Sequence, residues 1–173
     1  MAIEVEDGTG KANAVSYVSL AYATSYHAAR GNSAWASAAS DAVREQALVK
    51  ATDYMEQRFA TRYRGARLTQ TQALAWPRLD VVDRDGFTIA EDAMPDVLLR
   101  ACSEYALRAL SSTLAPDVTS GVSGTVKRTR SKVGPIEEET EYEDGASTVM
   151  PSFPAADRIL RPILRSAGGQ VIR

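Results

Sequence analysis

The stretch MPDVLLRACSEYALRAL, residues 94–110, decides the fold of this 173-residue chain. Pro95 suits the first turn of a helix, where no backbone donor is needed, and the apolar residues that follow recur at helical spacing. These apolar positions are Val97, Leu98, Ala101, Tyr105, Leu107, Ala109 and Leu110. Because the apolar surface is broad, we expect a helix from residues 94–95 to about residue 114 at the centre of the core.

Two further helices are predicted on the N-terminal side of this stretch. SLAYATSYHAARGN, residues 19–32, begins with a favourable N-cap at Ser19 and ends near Gly31. SDAVREQALVKATDYMEQRF, residues 40–59, is capped by Ser40 or the next residue and is amphipathic. Together with the central helix they predict a helical bundle over residues 15–115. Residues 1–14 hold two glycines and few bulky side chains, so we expect a flexible N-terminal arm there.

The spacing of side-chain types is no longer helical in VKRTRSKVGPIEEETEY, residues 126–142. This stretch predicts two β-strands around Gly134–Pro135. An antiparallel register with Val133 opposite Ile136 would pair Lys132 with Glu137, Arg130 with Glu139 and Arg128 with Glu141. Proline at the second turn position disfavours a simple two-residue turn, which leaves the detailed register open. We therefore assign residues 116–150 to a connector and a charged β-hairpin.

The predicted fold class is mainly α: a small helical bundle with an extended β-hairpin and a C-terminal helical tail. The tail covers residues 151–173, where PAADRILRPILR reads as a short helix interrupted by Pro162. One cysteine excludes an internal disulfide, and one cysteine with one histidine excludes the usual zinc sites. No apolar run is long enough to cross a membrane, and the acidic N-terminus is unlike a secretory signal. We expect an intracellular protein, or one assembled inside a cell.

Residues for catalysis are sparse, and we expect neither an enzyme nor a bound metal or cofactor. His27 is the only imidazole, and no nucleophile elbow or phosphate-binding glycine loop is present. The buried position expected for Cys102 within the central helix makes it a packing residue. The acidic run EEETEYED, residues 137–144, is compatible with a cation site, with a solvated or ion-paired hairpin, or with a surface that repels DNA. The ion-paired hairpin is the favoured interpretation.

A basic stretch with aromatic residues lies between the second and third predicted helices. It holds Arg58, Arg62, Tyr63, Arg64, Arg67, Trp76 and Arg78, and no acid between Gln57 and Leu79. Arginines beside aromatic rings form a platform for single-stranded nucleic acid in many proteins. The same residues also serve packing and protein interfaces, because arginine is common in both. Packing or a protein interface is favoured, and nucleic-acid contact stays open.

The order of these segments resembles a family of tailed-bacteriophage proteins encoded among head genes and often labelled "DnaT-like single-stranded DNA-binding protein". The resemblance covers about residues 14–165, and its most specific points are YHAARGN, ATDYM, LAWPR, MPDVLLRA and KVGPI. The layout is also similar to that of head–tail connector, or adaptor, proteins of long-tailed phages. That similarity implies a non-catalytic ring of twelvefold symmetry beneath the portal protein in the neck of the virion. An alternative is a single-stranded DNA-binding replication protein of the primosome type.

The connector resemblance implies several partners and surfaces. The partners are the portal protein, neighbouring copies, a tail-proximal connector or tail terminator, and double-stranded DNA that passes without specific binding; no membrane is involved. A C-terminal contact with the portal or a neighbouring subunit would use Arg158, Ile159, Leu160, Arg161, Ile163, Leu164 and Arg165, and deleting residues 153–173 would then leave the bundle folded. The alternative is a helix that folds back on its own bundle. The hairpin residues facing a channel or a second ring would be Lys127, Arg128, Arg130, Lys132, Glu137, Glu139, Glu141 and Glu143.

Overall fold

Three helices joined by short connections form the first half of the chain: α1 (Leu20–Ala28), α2 (Ser33–Ala36) and α3 (Asp41–Phe59). Serine side chains begin two of them, as predicted. The hydroxyl of Ser19 accepts the N–H of Tyr22 at the start of α1, and Ser40 has the same role at the start of α3. Each cap satisfies a backbone donor that the first helical turn would otherwise leave unpaired.

The computed structural model describes residues 3–116, 126–132, 137–142 and 151–165. The predicted fold class is confirmed: helices dominate, with a two-stranded antiparallel hairpin and a C-terminal helix. The chain divides into two compact units. One combines residues 1–114 with residues 152–173, and the other is residues 115–151.

The central helix, α4, spans Asp96–Ala109 and ends about five residues earlier than the sequence predicts. The hydroxyls of Ser111 and Ser112 both donate to the carbonyl of Arg108. Serine side chains that bond to nearby backbone carbonyls compete with helix continuation, which accounts for the earlier end.

α4 lies at the centre of the bundle, where it packs against α1, α3 and α5, the last spanning Pro154–Leu160. The buried face of α4 packs against buried side chains of α3 and α5. The principal members of this core are Leu48, Met55, Leu98, Ala101, Cys102, Tyr105 and Leu160. Burial raises the pKa of the Cys102 thiol to about 12, so this cysteine is a packing residue as predicted.

The C-terminal segment is part of this core. The Asp157 carboxylate of α5 accepts the Tyr105 hydroxyl and pairs with Arg58 at 2.9 Å. After a 3-10 turn at Arg161–Ile163, Leu164 forms an antiparallel bridge with Tyr63.

The expected partner contact through the apolar residues of this tail therefore needs correction. Leu160, Ile163 and Leu164 are each at most 7% exposed, and Ile159 is half-buried. Apolar side chains that complete their own core are unavailable to a partner, so the helix folds back on the bundle. The predicted tail residues beyond 165 lie outside the described residues.

The N-terminal segment also differs from the flexible arm that the sequence predicts. The Glu6 side chain is 3% exposed, and its two carboxylate oxygens accept the N–H groups of Asp7, Gly8, Gly10 and Lys11 at 2.8–3.1 Å. A Cβ on Gly8 would lie 1.9 Å from the carbonyl oxygen of Asp92, so the backbones are in close contact there. A buried carboxylate thus organises residues 6–11 as a fixed loop.

Residues 60–92 form the irregular part of the bundle. A short 3-10 turn, Ala60–Arg62, precedes strand β1 (Ala66–Arg67), which pairs antiparallel with β2 (Arg78–Leu79). Residues 69–75 form a loop without a helical turn. The Gln72 side chain instead holds this loop, since its amide donates to the carbonyls of Leu74 and Pro77.

The second unit contains the hairpin of β3 (Val126–Lys132) and β4 (Glu137–Tyr142). Their antiparallel register pairs Lys132 with Glu137, Arg130 with Glu139 and Arg128 with Glu141, which confirms the predicted pairs. A register irregularity follows between Val126 and Arg128. Opposite charges at facing positions favour one register by roughly 0.2–1 kcal/mol per pair. The predicted turn at residues 133–136 and Glu143 lie outside the described residues.

Candidate nucleic-acid interface

The aromatic residues of the predicted platform lie inside the core. Tyr63 and Trp76 are both 0% exposed, and their rings meet edge to face with centroids 6.0 Å apart. A ring can stack on a nucleic-acid base only through an exposed face. Tyr63 and Trp76 therefore brace the fold, and the sequence-based option that they contact DNA is wrong.

Four of the five arginines in the same stretch donate hydrogen bonds to other groups of the fold. Arg78 is 6% exposed and donates to the carbonyls of Arg64, Gly65 and Ala75 at 2.7–3.0 Å. Burial lowers the pKa of its guanidinium, and nearby Arg165 lowers it further. Arg58 pairs with the Asp157 carboxylate, and the guanidinium of Arg67 donates to the Gln72 carbonyl.

Other arginines meet where the loop after α3 joins the C-terminal segment. The backbone N–H of Arg165 donates to the carbonyl of Arg62 at 2.8 Å, and Arg64 Nε donates to the Leu164 carbonyl at 3.1 Å. Arg161 lies one 3-10 turn before Leu164. We call Arg62, Arg64, Arg161 and Arg165 the arginine surface.

The arginine surface keeps its positive charge unneutralised by carboxylates. Arg62, Arg161 and Arg165 are exposed, and Arg64 is half-buried. Within residues 3–116 and 151–165, none of the four forms a salt bridge. Guanidinium groups without a carboxylate partner are suited to an anionic ligand, so this surface is a candidate site for phosphate.

An exposed aromatic ring lies next to the arginine surface. Phe87 is 71% exposed in a loop of residues 81–89, which we call the Phe87 loop. The guanidinium of Arg64 donates to the carbonyls of Val82 and Asp83 at 3.1 and 3.3 Å, and so attaches this loop to the surface. Phe87 is not among the site residues predicted from the sequence. The sequence does contain a signal for it, because this aromatic residue directly follows DRDG, residues 83–86, a pattern typical of an exposed turn.

His27 belongs to the packing of the α1–α2 corner. It is 1% exposed, with Nε2 3.1 Å from the carbonyl oxygen of Ser103 and Nδ1 2.9 Å from the Asn32 amide nitrogen. A carbonyl can only accept, so Nε2 carries the proton and Nδ1 accepts from Asn32. The ring also lies against Trp35, with centroids 4.6 Å apart. Each ring nitrogen already has a structural partner.

The pKa of His27 is lowered, chiefly by burial, with Arg30 and Arg108 adding to the effect and the Ser103 carbonyl and Glu104 opposing it. The unfolded chain then binds a proton at a higher pH than the folded chain. We expect stability to fall as the pH drops below about 6.5, until the lowered native pKa is reached. Urea denaturation from about pH 7.5 to about pH 5 measures this.

The matched control is His27→Gln, measured over the same pH range. Burial raises the pKa of Glu56, which has the opposite effect on stability at acidic pH and is present in both proteins. The difference between the two curves isolates His27. Parallel curves would contradict the expected contribution.

Two further kinds of site were sought among the residues that the structure describes. Within them, no group of three or more His, Cys, Asp and Glu side chains is arranged to hold a metal ion. No helix in the described ranges is long and apolar enough to cross a membrane.

Comparison with protein families gives one match. The family model described as "Putative DnaT-like ssDNA binding protein" matches residues 1–173. The chain belongs to this family. No curated protein and no solved structure matches the chain. Family membership confirms the DnaT-like part of the resemblance seen in the sequence.

Proposed function

We propose that this protein binds single-stranded DNA through the arginine surface and catalyses no reaction. The observation that carries the proposal is the set of exposed arginines, Arg62, Arg161 and Arg165, with no carboxylate partner among the described residues. The description of the family names the same ligand. This proposal keeps the ligand suggested by the sequence and moves its site away from Tyr63 and Trp76.

Local charge favours phosphates although the whole chain has a net charge of −2. Backbone hydrogen bonds fix the segments that carry these arginines, so the backbone needs little ordering when a strand binds. Guanidinium forks match phosphate oxygens in charge and geometry. A small patch of this kind implies few phosphate contacts and moderate affinity.

The test is fluorescence anisotropy of a labelled oligothymidine of about 16 nucleotides, measured over a range of salt concentrations. We expect affinity to fall with salt, with a log–log slope of about −0.7 per neutralised phosphate. Arg62→Glu/Arg165→Glu should weaken binding at least about tenfold, or about 1.4 kcal/mol.

Lys50→Glu is the matched charge control for the single variant Arg62→Glu, because Lys50 is exposed on α3 outside the arginine surface. It should bind as the unchanged protein does. The proposal fails if the unchanged protein shows no salt-dependent binding, or if the two single variants lose the same affinity.

A second candidate function is a structural head–tail connector of a tailed phage, in a twelvefold ring under the portal protein. One observation favours it: the charged hairpin belongs to a compact unit of its own, residues 115–151. A separate hairpin with paired charges resembles the layout of adaptor proteins. The exposed Arg158, Arg161 and Arg165 would be available to the portal or a neighbouring copy.

Copy number in purified virions tests this second function. Quantitative mass spectrometry should give about one copy per portal subunit if the protein is a ring component of the neck. Absence from virions, with abundant protein in infected cells, would exclude the connector and leave the DNA-binding proposal.

A further inference from the structure

We infer that Phe87 stacks on a base of the same strand whose phosphates the arginine surface binds, which makes the site selective for single strands. This inference rests on the proposed function. It adds recognition of the bases to the recognition of phosphates by the arginines. Duplex DNA keeps its base faces stacked inside the helix, so an exposed ring has no equivalent contact with it.

The exposure of Phe87 is unusual for this protein. Large apolar side chains elsewhere in the described residues are mostly buried, and the exceptions besides Phe87 are 37–42% exposed. One of these exceptions, Val82, lies opposite Thr88 at the base of the same loop. A phenylalanine that is 71% exposed contributes little to packing in the bundle and is accessible to a ligand.

Hydrogen bonds within the loop fix the backbone at Phe87. One carboxylate oxygen of Asp83 accepts the N–H groups of Asp85 and Phe87, both at 2.9 Å. The Asp83 N–H donates to the Phe87 carbonyl at 2.9 Å, and Gly86 adopts a φ of +92°, which suits glycine. Because the backbone on both sides of Phe87 is hydrogen-bonded, binding would require little further ordering of the loop.

A continuous set of contacts connects Phe87 with the arginines. The Phe87 carbonyl accepts a hydrogen bond from the Asp83 N–H, and the Asp83 carbonyl accepts one from the Arg64 guanidinium. Arg64 also donates to the carbonyl of Leu164, the residue before Arg165. Arg165 donates from its own guanidinium to the carbonyl of Gly65 at 3.3 Å. Aromatic stacking and phosphate binding, the two components of single-strand recognition, thus lie on neighbouring segments.

Charges of both signs lie in and beside the Phe87 loop. Asp80, Arg84 and Asp85 are exposed, and Asp83 is half-buried with one oxygen used inside the turn. The acids disfavour phosphates close to Phe87, so the phosphates of a strand with one base on Phe87 would bind at Arg62 and Arg165, which have no carboxylate partner among the described residues.

The test compares labelled oligothymidine with an abasic oligonucleotide of the same length, by anisotropy at one low salt concentration. We expect the unchanged protein to prefer the strand with bases about tenfold, and Phe87→Ala to bind both at the abasic level. Phe87→Trp should keep the preference, and its indole emission should be quenched by oligothymidine only. Val82→Thr is the control for an exposed residue of the same loop.

The outcomes separate this inference from the proposed function. If Arg62→Glu/Arg165→Glu loses binding while Phe87→Ala keeps the preference for bases, the arginine surface stands and base stacking is overturned. If the unchanged protein binds neither oligonucleotide, both proposals are overturned. If Phe87→Ala changes only self-association or protein binding, the loop is a protein interface and the inference is wrong. Thermal unfolding of each variant confirms that the fold is intact.

Discussion

A chain that ends at Ser152 is expected to lose the cooperative unfolding transition of the bundle. Three side chains that the truncation removes, Leu160, Ile163 and Leu164, are buried, and each contributes about 1.5–3 kcal/mol. The sum of about 5–9 kcal/mol is comparable to the whole stability of an ordinary domain, about 5–15 kcal/mol. The connector resemblance implies instead that removal of residues 153–173 leaves the bundle folded.

Circular dichroism during urea denaturation measures this effect, with a chain ending at Arg165 as the matched control. The control keeps α5, the Asp157 contacts and the bridge between Tyr63 and Leu164. We expect a sigmoidal transition for the control and a broad, non-cooperative change for the shorter chain. Equal transitions would show that the C-terminal core contacts contribute little.

Trp76→Ala should destabilise the protein by about 3–5 kcal/mol, because it leaves a large cavity in a closed core. The chain on both sides of Trp76 is fixed: the Ala75 N–H donates to Glu56 at 3.0 Å, and Arg78 donates to the Ala75 carbonyl. Such a chain cannot collapse easily into the vacated space. Chemical denaturation measures the change in the free energy of unfolding.

Trp76→Phe is the control for the same position. The indole Nε1 of Trp76 is buried and has no hydrogen-bond acceptor among the described residues, so its removal loses no hydrogen bond to them. We expect a smaller loss than for Trp76→Ala, since the ring contact with Tyr63 is largely kept. A larger loss for Phe than for Ala would contradict this account of the core.

Much of the fold could be predicted because local chemistry decides it. Ser19 and Ser40 have side chains that cap a helix wherever an apolar periodic segment follows, and both do so here. The facing hairpin pairs followed from placing Val133 opposite Ile136, a register that sets Arg130 opposite Glu139 and is favoured by their opposite charges. The end of α4 was misjudged because Ser111 and Ser112 bond to the helix that they terminate.

The site was harder to predict, because arginine and glutamate side chains can either face a ligand or hold the fold together. Arg78 looks like a phosphate ligand in the sequence, yet it donates in the core to the carbonyl of Ala75 and to those of Arg64 and Gly65, which lie 14 and 13 residues earlier. Glu6 looks like part of a mobile acidic arm, yet it organises a loop of neighbouring backbone N–H groups. The first environment depends on where the chain returns, and the second depends on the burial of a carboxylate, which its sequence neighbours do not indicate. Phe87 was missed for the converse reason: an apolar residue is expected to be buried.

The bundle is discontinuous along the chain, since it is built from residues 1–114 and 152–173 with a second unit between them. The intervening residues thus have the status of an insertion, held at both ends by helices of the host. An insertion of this kind can lengthen, shorten or exchange its charges over evolutionary time without altering the core of its host. Related chains should therefore diverge fastest between α4 and α5, where each lineage could fit its hairpin to its own molecular surroundings.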